Sequence, residues 1–398
     1  MKILVLNCGS SSIKYQLFDM SKSTIIAQGG IEKLGLPGSF LKFTLPSGEK
    51  VVLEKLIPEH TAGVKFILET LQSAEYGCIK SLDEITAVGH RVVHGGEKFN
   101  ESVVITDEVI KQVEVCSDLA PLHNPANLKG IATISELLPN VPQVGVFDTA
   151  FHQTMPDYAY TYALPYKYYT DYGIRRYGFH GTSHRYVSQK AIEYLNLDPN
   201  NSKIITCHIG NGASFAAVVN GKSVDTTMGM TPVEGLMMGT RSGDVDAGVL
   251  TYLMDKEGLD AAGVSEMVNK KSGLMGISEF SSDMREINAA IAEGNKRALL
   301  ARSMFYYRIK KYVGAYAAAM GGVDAIVFTG GVGENSDICR ASTCKDLGFM
   351  GVEIDLEKNE GFRGTGVISK PESRVKVVVI PTDEEYMIAY DTKALLNL

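Results

Sequence analysis

The sequence has 398 residues, of which 45% are hydrophobic and 21% are charged, as in an ordinary globular protein. This length predicts two domains, each with its own buried core. The formal net charge of −7 argues against a general nucleic-acid or membrane binder, which would carry a basic excess.

The cysteines and the N-terminus indicate a cytoplasmic protein. The six cysteines are scattered and none form C-x-x-C, so reduced thiols are expected rather than a disulfide framework. The apolar run at residues 3–6 is too short for a signal peptide, and no stretch is long enough to span a membrane. We expect no membrane or nucleic-acid partner.

The first half of the chain opens with a predicted hairpin. Residues 2–6 and 13–19 read as strands on either side of the small, polar sequence NCGSSS. Further segments then show the apolar spacing of helices or strands: a helix at 60–74, a strand at 85–94, a helix starting at Pro125, and a strand at 142–148. We place a domain boundary near residue 150.

The second half opens in the same way as the first. Residues 203–209 and 215–219 read as strands around GNGAS, and Asn220-Gly221 is typical of a type I′ turn into a third strand. The pair KILVLNCGSSSIKYQLF and KIITCHIGNGASFAAVV therefore predicts a duplicated unit, although two unrelated hairpins would look alike. The remaining predicted elements are a helix at 295–320, strands at 324–329 and 375–380, and a final helix after PTDEE.

Three Gly-rich turns follow predicted strands and could hold phosphate through backbone N–H groups. They are NCGSSS (7–12), HIGNGAS (208–214) and TGGVGENS (329–336). A Walker A loop is excluded because Ala216 stands where its first glycine is required. The dinucleotide-binding fingerprint is incomplete because Ser336 replaces its third glycine. Three turns, two of them in a repeated hairpin, favour a nucleotide site between two lobes.

Several charged residues accompany these turns. The positive candidates for binding an anion are Lys14, Arg91, Arg241 and Arg285. Asp148 and Glu384 follow predicted strands and could bind Mg²⁺, although Glu384 could equally complement a helix dipole. His180 and His208 lie beside glycines, and each could be a core histidine or a donor to a phosphoryl oxygen.

Ten motifs along nearly the whole chain together resemble the acetokinase family. They are NCGSSSIKY, GHRVVHGGE, LAPLHNP, FDTAFHQTMP, RRYGFHGTSH, HIGNGAS, MGMTPVEGLMMGTRSGD, SSDMREI, FTGGVGENS and TDEE, in that order. The resemblance implies an α/β fold with duplicated ribonuclease H-like (actin-like ATPase) domains and the nucleotide cleft between two lobes. It assigns residues 1–150 plus 385–398 to the N-terminal lobe. Residues 151–384 form the C-terminal lobe, expected to bind nucleotide and to dimerise.

The resemblance also implies the roles of individual residues. It implies catalytic roles for Asp148, Arg241, His180 and Arg91, with Arg91 also binding the acceptor carboxylate. It implies a small apolar substrate pocket formed by Val93, Leu122, Phe179 and Pro232. It implies nucleotide contacts from Ser10, Ser12, Lys14, His208, Ile209, Gly210, Asn211, Gly212, Asp283, Met284, Arg285, Gly331, Val332, Gly333, Glu334 and Asn335. Asn7 and Glu384 would hold Mg²⁺, for which Mn²⁺ can substitute.

The implied function is reversible, Mg-dependent transfer of the ATP γ-phosphoryl group to acetate, giving acetyl phosphate and ADP. The family implies a cytoplasmic homodimer. A propionate kinase or other short-chain carboxylate kinase is the nearest alternative, and a non-catalytic actin- or Hsp70-like nucleotide-binding protein is the alternative from another class. Acetate is already ionised at neutral pH, so we expect Asp148 to orient Arg91 or metal-bound water rather than to remove a proton. Glu384 could alternatively accept the phosphoryl group covalently.

Overall fold

A computed structural model describes residues 1–45, 47–121 and 123–398. The chain forms two compact units. Unit 1 comprises Met1–Phe151 and Asp383–Leu398, and unit 2 comprises His152–Thr382. Among the described residues, no helix combines the length and the apolar character needed to cross a membrane.

Unit 1 is an eight-stranded sheet covered by helices. Its strands are β1 (Lys2–Cys8), β2 (Ile13–Asp19), β3 (Thr24–Glu32), β4 (Phe40–Thr44), β5 (Lys50–Glu54), β6 (Ile85–Val92), β7 (Val103–Val104) and β8 (Gln143–Phe147). Its helices are α1 (His60–Gln72), α2 (Asp107–Val115), α3 (Asn124–Leu137) and the C-terminal Glu384–Leu395. The strand order is β5-β4-β3-β2-β1-β6-β8-β7.

The alternation of buried residues along β1 explains why both faces of this sheet are covered. Leu4 and Leu6 point into a core shared with α1 and α3. Ile3 and Val5 point to the opposite face, where they pack with the C-terminal helix. Gly89 on β6 allows this helix to approach closely, because a Cβ there would lie 2.7 Å from a methyl group of Ile388. This close packing holds Glu384, the first residue of the helix, at the same end of the sheet as the ends of β6 and β8.

Unit 2 contains a six-stranded sheet and most of the helices. Its strands are β9 (Lys203–Ile209), β10 (Ala213–Val219), β11 (Lys222–Thr226), β12 (Ala325–Thr329), β13 (Gly366–Val367) and β14 (Lys376–Val379). Its helices are α4 (Asp157–Tyr160), α5 (Lys167–Tyr172), α6 (Gly181–Leu195), α7 (Ala247–Glu257), α8 (Ala261–Lys270), α9 (Gly273–Ser278), α10 (Met284–Ala292), α11 (Lys296–Ala319), α12 (Gly330–Asn335), α13 (Asp337–Cys344) and α14 (Leu356–Asn359). The C-terminal helix of unit 1 is α15.

The two sheets share a central topology. In unit 1, β3, β2 and β1 are antiparallel, and β1, β6 and β8 are parallel. In unit 2, β11, β10 and β9 are antiparallel, and β9, β12 and β14 are parallel. The predicted hairpins are β1–β2 and β9–β10, so the prediction of a duplicated α/β unit is confirmed.

One local prediction was wrong. TGGVGENS is not an open turn, because α12 begins at Gly330 directly after β12. Gly330 has φ of 75°, and a Cβ there would lie 2.9 Å from backbone atoms of Ile209. The aromatic segment before α6 contains two further short helices, α4 and α5, that the sequence did not predict. Both are too short to show a helical period in sequence.

The long predicted helix at 295–320 is α11, Lys296–Ala319. Most of its predicted apolar stripe is core: Ala298, Phe305, Ile309 and Tyr316 are buried. Tyr312 is only half-buried, and its hydroxyl donates to an Asp244 carboxylate oxygen at 2.5 Å. Ala298, Phe305, Ile309 and Tyr316 therefore belong to the core of unit 2.

Candidate active site

In unit 1, polar residues gather where parallel strands end. Asn7 lies near the end of β1, Arg91 near the end of β6, and Asp148 directly after β8. Because neighbouring parallel strands end at one edge of a sheet, these side chains converge. Asp148 accepts from Arg91 Nε at 2.9 Å and from a terminal guanidinium nitrogen at 2.6 Å. The other terminal nitrogen of Arg91 lies 3.4 Å from Asn7 Oδ1.

Arg91 and Asp148 form an ion pair with a fixed orientation. The Asp148 side chain is 1% exposed, whereas that of Arg91 is 27% exposed. Burial alone would lower the pKa of Arg91, but the charge and hydrogen bonds of Asp148 raise it above its usual value. Asp148 binds the edge formed by Nε and one terminal nitrogen, so the edge between the two terminal nitrogens keeps N–H groups for a further partner beside the long contact to Asn7. A planar fork of this kind matches a second carboxylate.

Glu384 lies at the start of α15, near this pair. Its Oε1 is sealed from solvent and accepts no hydrogen bond from the described residues. Burial raises its pKa to about 7, while Arg91 opposes this rise and Asp148 adds to it. A buried carboxylate oxygen without a donor is suited to binding a cation. The described residues contain no group of three or more His, Cys, Asp and Glu that could hold a metal.

The β1–β2 turn carries the other predicted contacts of unit 1. Ser10 and Lys14 are exposed, and Ser12 is half-buried. The turn is closed by the Gly9 amide, which donates to the Ser12 carbonyl oxygen at 2.8 Å. His60 Nε2 lies 2.8 Å from the Gly9 carbonyl oxygen and ties the turn to α1. Ser10 in the turn and Lys14 at the start of β2 are therefore exposed beside a turn that a hydrogen bond from α1 holds in place.

In unit 2, the β9–β10 turn brings together three predicted residues. A Cβ at Gly212 would lie 3.3 Å from an Arg241 terminal nitrogen and 3.7 Å from His180 Nε2. The absence of a side chain at Gly212 therefore leaves room for both groups beside the turn. The same turn is fixed by Asn211, whose carbonyl accepts from the Gly239 amide at 3.0 Å.

Arg241 differs from Arg91 in its partners. Its terminal nitrogen lies 3.4 Å from the Pro232 carbonyl oxygen and 3.8 Å from the Met238 sulfur. The described residues place no carboxylate in ion-pair contact with it, and burial lowers its pKa. A half-buried guanidinium with only weak neutral contacts attracts an anion.

Hydroxyl groups hold the histidines of unit 2. His180 Nδ1 lies 2.8 Å from Ser214 Oγ, and His208 Nδ1 lies 2.8 Å from Ser183 Oγ. The two rings stack, with centroids 4.3 Å apart. His180 itself has φ of 56°, just before the first residue of α6. The sequence left open whether these histidines were core residues or donors; both are half-buried and oriented by serines.

A pocket of about 760 Å³ lies in unit 2. Eight predicted nucleotide-binding residues line it: Gly210, Asn211, Asp283, Met284, Arg285, Gly331, Val332 and Asn335. Arg285 is 91% exposed and pairs with Asp283 at 2.5 Å. The pocket volume is in the range of ligand sites for drug-sized molecules. It is bounded by the β9–β10 turn, α10 and α12.

Other predicted contacts do not line this pocket. Ile209 is fully buried in the sheet, so its side chain is directed away. Glu334 Oε1 accepts from the Gly330 amide at 2.9 Å and from the Thr382 amide at 3.2 Å, which uses the carboxylate to hold the start of α12. Gly333 is also buried, and Gly212 faces Arg241. The contribution of these residues is to shape the backbone around the pocket.

The residues predicted to form the apolar substrate pocket belong to different units. Val93 belongs to unit 1, and its side chain is buried. Phe179 and Pro232 belong to unit 2, where Phe179 is buried and Pro232 contacts Arg241 through its carbonyl. Leu122 lies outside the described residues.

The sequence missed other lining residues of the large pocket. They are Leu274, Ser282, Asn288, Phe305, Ser336, Asp337, Ile338 and Arg363. Asn288 could have been found, since it follows Met284 by one helical turn. Arg363 lies in a loop far along the chain, and no spacing links it to the other residues. The sequence also missed His184, although it lies only four residues after His180.

Comparisons with known proteins agree with this fold. Residues 2–390 match the acetokinase family model. An acetate kinase of Phocaeicola vulgatus is 68% identical over 397 residues, with 100% of both chains covered. The crystal structure of Porphyromonas gingivalis acetate kinase is 67% identical, covers 99% of both chains and has a TM-score of 0.96. A propionate kinase from Francisella tularensis is 41% identical, covers 99% of both chains and has a TM-score of 0.92.

The duplicated sheets define a two-lobe kinase of the actin-like ATPase class. The chain belongs to the acetokinase family. Its function is that of an acetate kinase, a phosphotransferase whose acceptor is a carboxylate.

Proposed function

We propose that the chain moves the γ-phosphoryl group between ATP and acetate by direct in-line transfer, with unit 1 supplying the acetate contacts and unit 2 the ATP contacts. The observation that carries this assignment is the Arg91–Asp148 pair. Asp148 takes the Nε edge of the guanidinium, and the terminal fork is oriented for one more carboxylate. Asp148 acts by holding Arg91 in this orientation.

The chemistry requires no general base for acetate. A carboxylate oxygen attacks the γ-phosphorus, the bond to the bridging oxygen breaks, and ADP leaves with that electron pair. Alignment and charge neutralisation then limit the rate more than proton transfer does. Arg241, His180 and Asn211 stabilise the charge on the transferring phosphoryl group. Support comes from the guanidinium without a carboxylate partner and from the turn that carries Asn211.

ATP occupies the pocket of unit 2 in this proposal. Its lining combines backbone donors of the Gly210 turn, the paired Asp283 and Arg285, and the apolar side chains of Met284 and Leu274. Polar groups at one end and apolar groups elsewhere suit a nucleotide, which joins phosphates to an aromatic base. In unit 1, Lys14, Ser10 and Ser12 add contacts to the phosphates.

Asn7 and Glu384 would hold Mg²⁺, or Mn²⁺ in its place. The residues fit such an ion, since Glu384 offers a buried carboxylate oxygen without a donor and Asn7 offers an amide oxygen nearby. When bound, the metal supplies charge neutralisation for the ATP phosphates. The placement of Glu384 favours this role over covalent phosphorylation.

The reaction is tested in a coupled assay with ATP, Mg²⁺ and a series of short carboxylates. Arg91→Lys keeps the charge but loses the planar fork, so the acetate KM should rise by roughly tenfold or more while the ATP KM is unchanged. Arg374→Lys makes the same change at an exposed arginine and should behave like the parent. A rise in the ATP KM alone would contradict the assignment of Arg91.

Propionate is the second candidate acceptor. The observation favouring it is the 41% identical propionate kinase, whose chain is covered over 99%. One extra methylene changes discrimination by only about 1–3 kcal/mol. The comparison of kcat/KM for acetate and propionate decides the preference.

We further propose that the protein acts as a cytoplasmic homodimer. The helices α7 and α8 contain no buried residue, although Val249 and Tyr252 on α7 are apolar and more than 40% exposed. Exposed apolar residues of this kind suit contact with a second copy. Sedimentation of the parent and of Tyr252→Glu tests this, because a monomeric parent contradicts it.

A further inference from the structure

A continuous hydrogen-bonded chain of four side chains leads from the core of unit 2 to His180. Thr206 Oγ1 lies 2.7 Å from His184 Nδ1, and His184 Nε2 lies 2.7 Å from Ser214 Oγ. Ser214 Oγ in turn lies 2.8 Å from His180 Nδ1. Thr206, His184 and Ser214 are all fully buried. Because these side chains are buried, water cannot replace a lost partner, and removing one of them leaves a buried polar atom without a hydrogen bond.

The direction of the hydrogen bonds in this chain follows from the hydroxyl of Thr206. That hydroxyl has one proton, and its two acceptors are His184 Nδ1 at 2.7 Å and the Ala216 carbonyl oxygen at 3.5 Å. The shorter contact has the normal length of a hydrogen bond and the longer one is at the outer limit. Donation along the shorter contact gives the Thr206 proton to His184 Nδ1, which then carries a lone pair.

The remaining protons then have one arrangement. A neutral His184 with a lone pair on Nδ1 has its proton on Nε2 and donates it to Ser214 Oγ. Ser214 donates its own proton to His180 Nδ1. His184 is neutral because burial, followed by the charges of His152 and His208, holds its pKa well below the usual value. His180 consequently carries its proton on Nε2.

We propose that Thr206, His184 and Ser214 are positioning residues that fix the tautomer of His180, so that neutral His180 donates from Nε2 beside Arg241. The inference rests on the proposed role of His180 at the transferring phosphoryl group. Nε2 is the ring nitrogen on the Gly212 side, where the Arg241 guanidinium also lies. A neutral donor avoids placing a second positive charge against a guanidinium that is already partly desolvated.

The tautomer is tested directly by ¹⁵N NMR of the full chain labelled at histidine, with His180→Asn used to assign its resonances. The expected spectrum at neutral pH has a protonated Nε2 and a non-protonated Nδ1 for His180. A protonated Nδ1 in the unmodified protein would overturn the proposal. This readout requires no turnover, so it stands apart from the proposed function.

The functional consequence is tested with Ser214→Ala. Loss of the hydroxyl should lower kcat roughly ten- to hundred-fold, since loss of an outer partner of an active imidazole has effects of this size. The KM values for ATP and acetate should stay within about threefold, because no substrate contact is removed. Ser188→Ala is the matched control: Ser188 is also fully buried, lies one turn after His184, and bonds only the Arg185 carbonyl.

A second pair of variants covers the case in which Ser214→Ala fails to fold. Thr206→Val removes the hydroxyl at nearly constant shape, and Thr206→Ser keeps it. The proposal requires kcat to fall in the first and to recover in the second, with His180 losing its single tautomer only in Thr206→Val. Equal kcat in the two variants would refute it. If His180→Asn kept the parental kcat, the proposed role of His180 would fail, while the NMR spectrum would still decide the tautomer.

Discussion

The two units contain the same central sheet, but the arginine that each unit places at its candidate site has different partners. In unit 1, Arg91 is locked to the buried Asp148 through two nitrogen atoms. In unit 2, Arg241 has only weak contacts to a carbonyl oxygen and a sulfur atom. In the proposed function, the first arrangement supplies orientation, and the second supplies charge. The comparison teaches that duplication of a fold duplicates the positions available for function, while the side chains decide what each position does.

The largest expected effect concerns the guanidinium of unit 2. Arg241→Ala should lower kcat by about 10²–10³-fold, or roughly 3–4 kcal/mol, because in the proposed function it removes the charge that stabilises the transferring phosphoryl group. Arg297→Ala, which removes an exposed arginine paired with Glu279, serves as the control. Steady-state kinetics measures both. A kcat close to the parental value in Arg241→Ala would remove the distinction between the two units.

The next effect concerns the buried carboxylate of unit 1. Burial raises the pKa of Glu384 from 4.5 to about 7, so the folded chain holds a proton that the unfolded chain has lost between these values. The contribution of protonated Glu384 to the free energy of unfolding is fully present below pH 4.5 and falls as the pH rises to about 7. The change of pKa corresponds to about 3 kcal/mol.

Glu384→Gln removes this titration. In metal-free buffer, the variant should gain stability relative to the parent by up to about 3 kcal/mol between pH 4.5 and 8. Mg²⁺ should reduce the difference, because it binds the ionised carboxylate. Chemical unfolding at several pH values provides the measurement, with Glu385→Gln as the matched change on the adjacent residue. A difference that does not vary with pH would show that Glu384 is ionised throughout.

A smaller effect is expected when orientation alone is lost. Asp148→Asn keeps the shape of the side chain but removes the charge that fixes Arg91, so the acetate KM should rise by roughly 10- to 100-fold while the ATP KM stays constant. Asp391→Asn is a suitable control, since Asp391 is a buried carboxylate of the same unit that accepts from Ser102. Loss of a single ionisation from the pH–rate profile, at unchanged acetate KM, would instead favour proton transfer by Asp148.

The smallest effect belongs to the most exposed guanidinium. Arg285 is 91% exposed and pairs with Asp283, two residues away. Arg285→Ala should raise the ATP KM by less than about tenfold and leave kcat within about twofold, because solvent already screens its charge. Steady-state kinetics of Arg285→Ala and Arg241→Ala gives the comparison of kcat and of the ATP KM. A loss of kcat comparable to that of Arg241→Ala would show that exposure is a poor guide to function in unit 2.

Much of the fold and of this candidate site could be predicted from sequence, but from different kinds of pattern. Apolar runs around small residues predicted both hairpins within two residues of the observed strands, because hairpins form between neighbours in the chain. The motif resemblance gave the family, which the comparisons confirm. Short-range pattern reading failed at TGGVGENS, since a helix of six residues shows too little periodicity to be distinguished from a turn.

The sequence by itself therefore determined the duplicated sheet and the family. The tertiary structure decided which groups are partners. Arg91 and Asp148 are 57 residues apart, and Ser214 lies 30 residues from His184. The physical reason is that a hydrogen bond requires atoms within about 3 Å, and for residues this distant in sequence only the packing of strands and helices brings them to that separation.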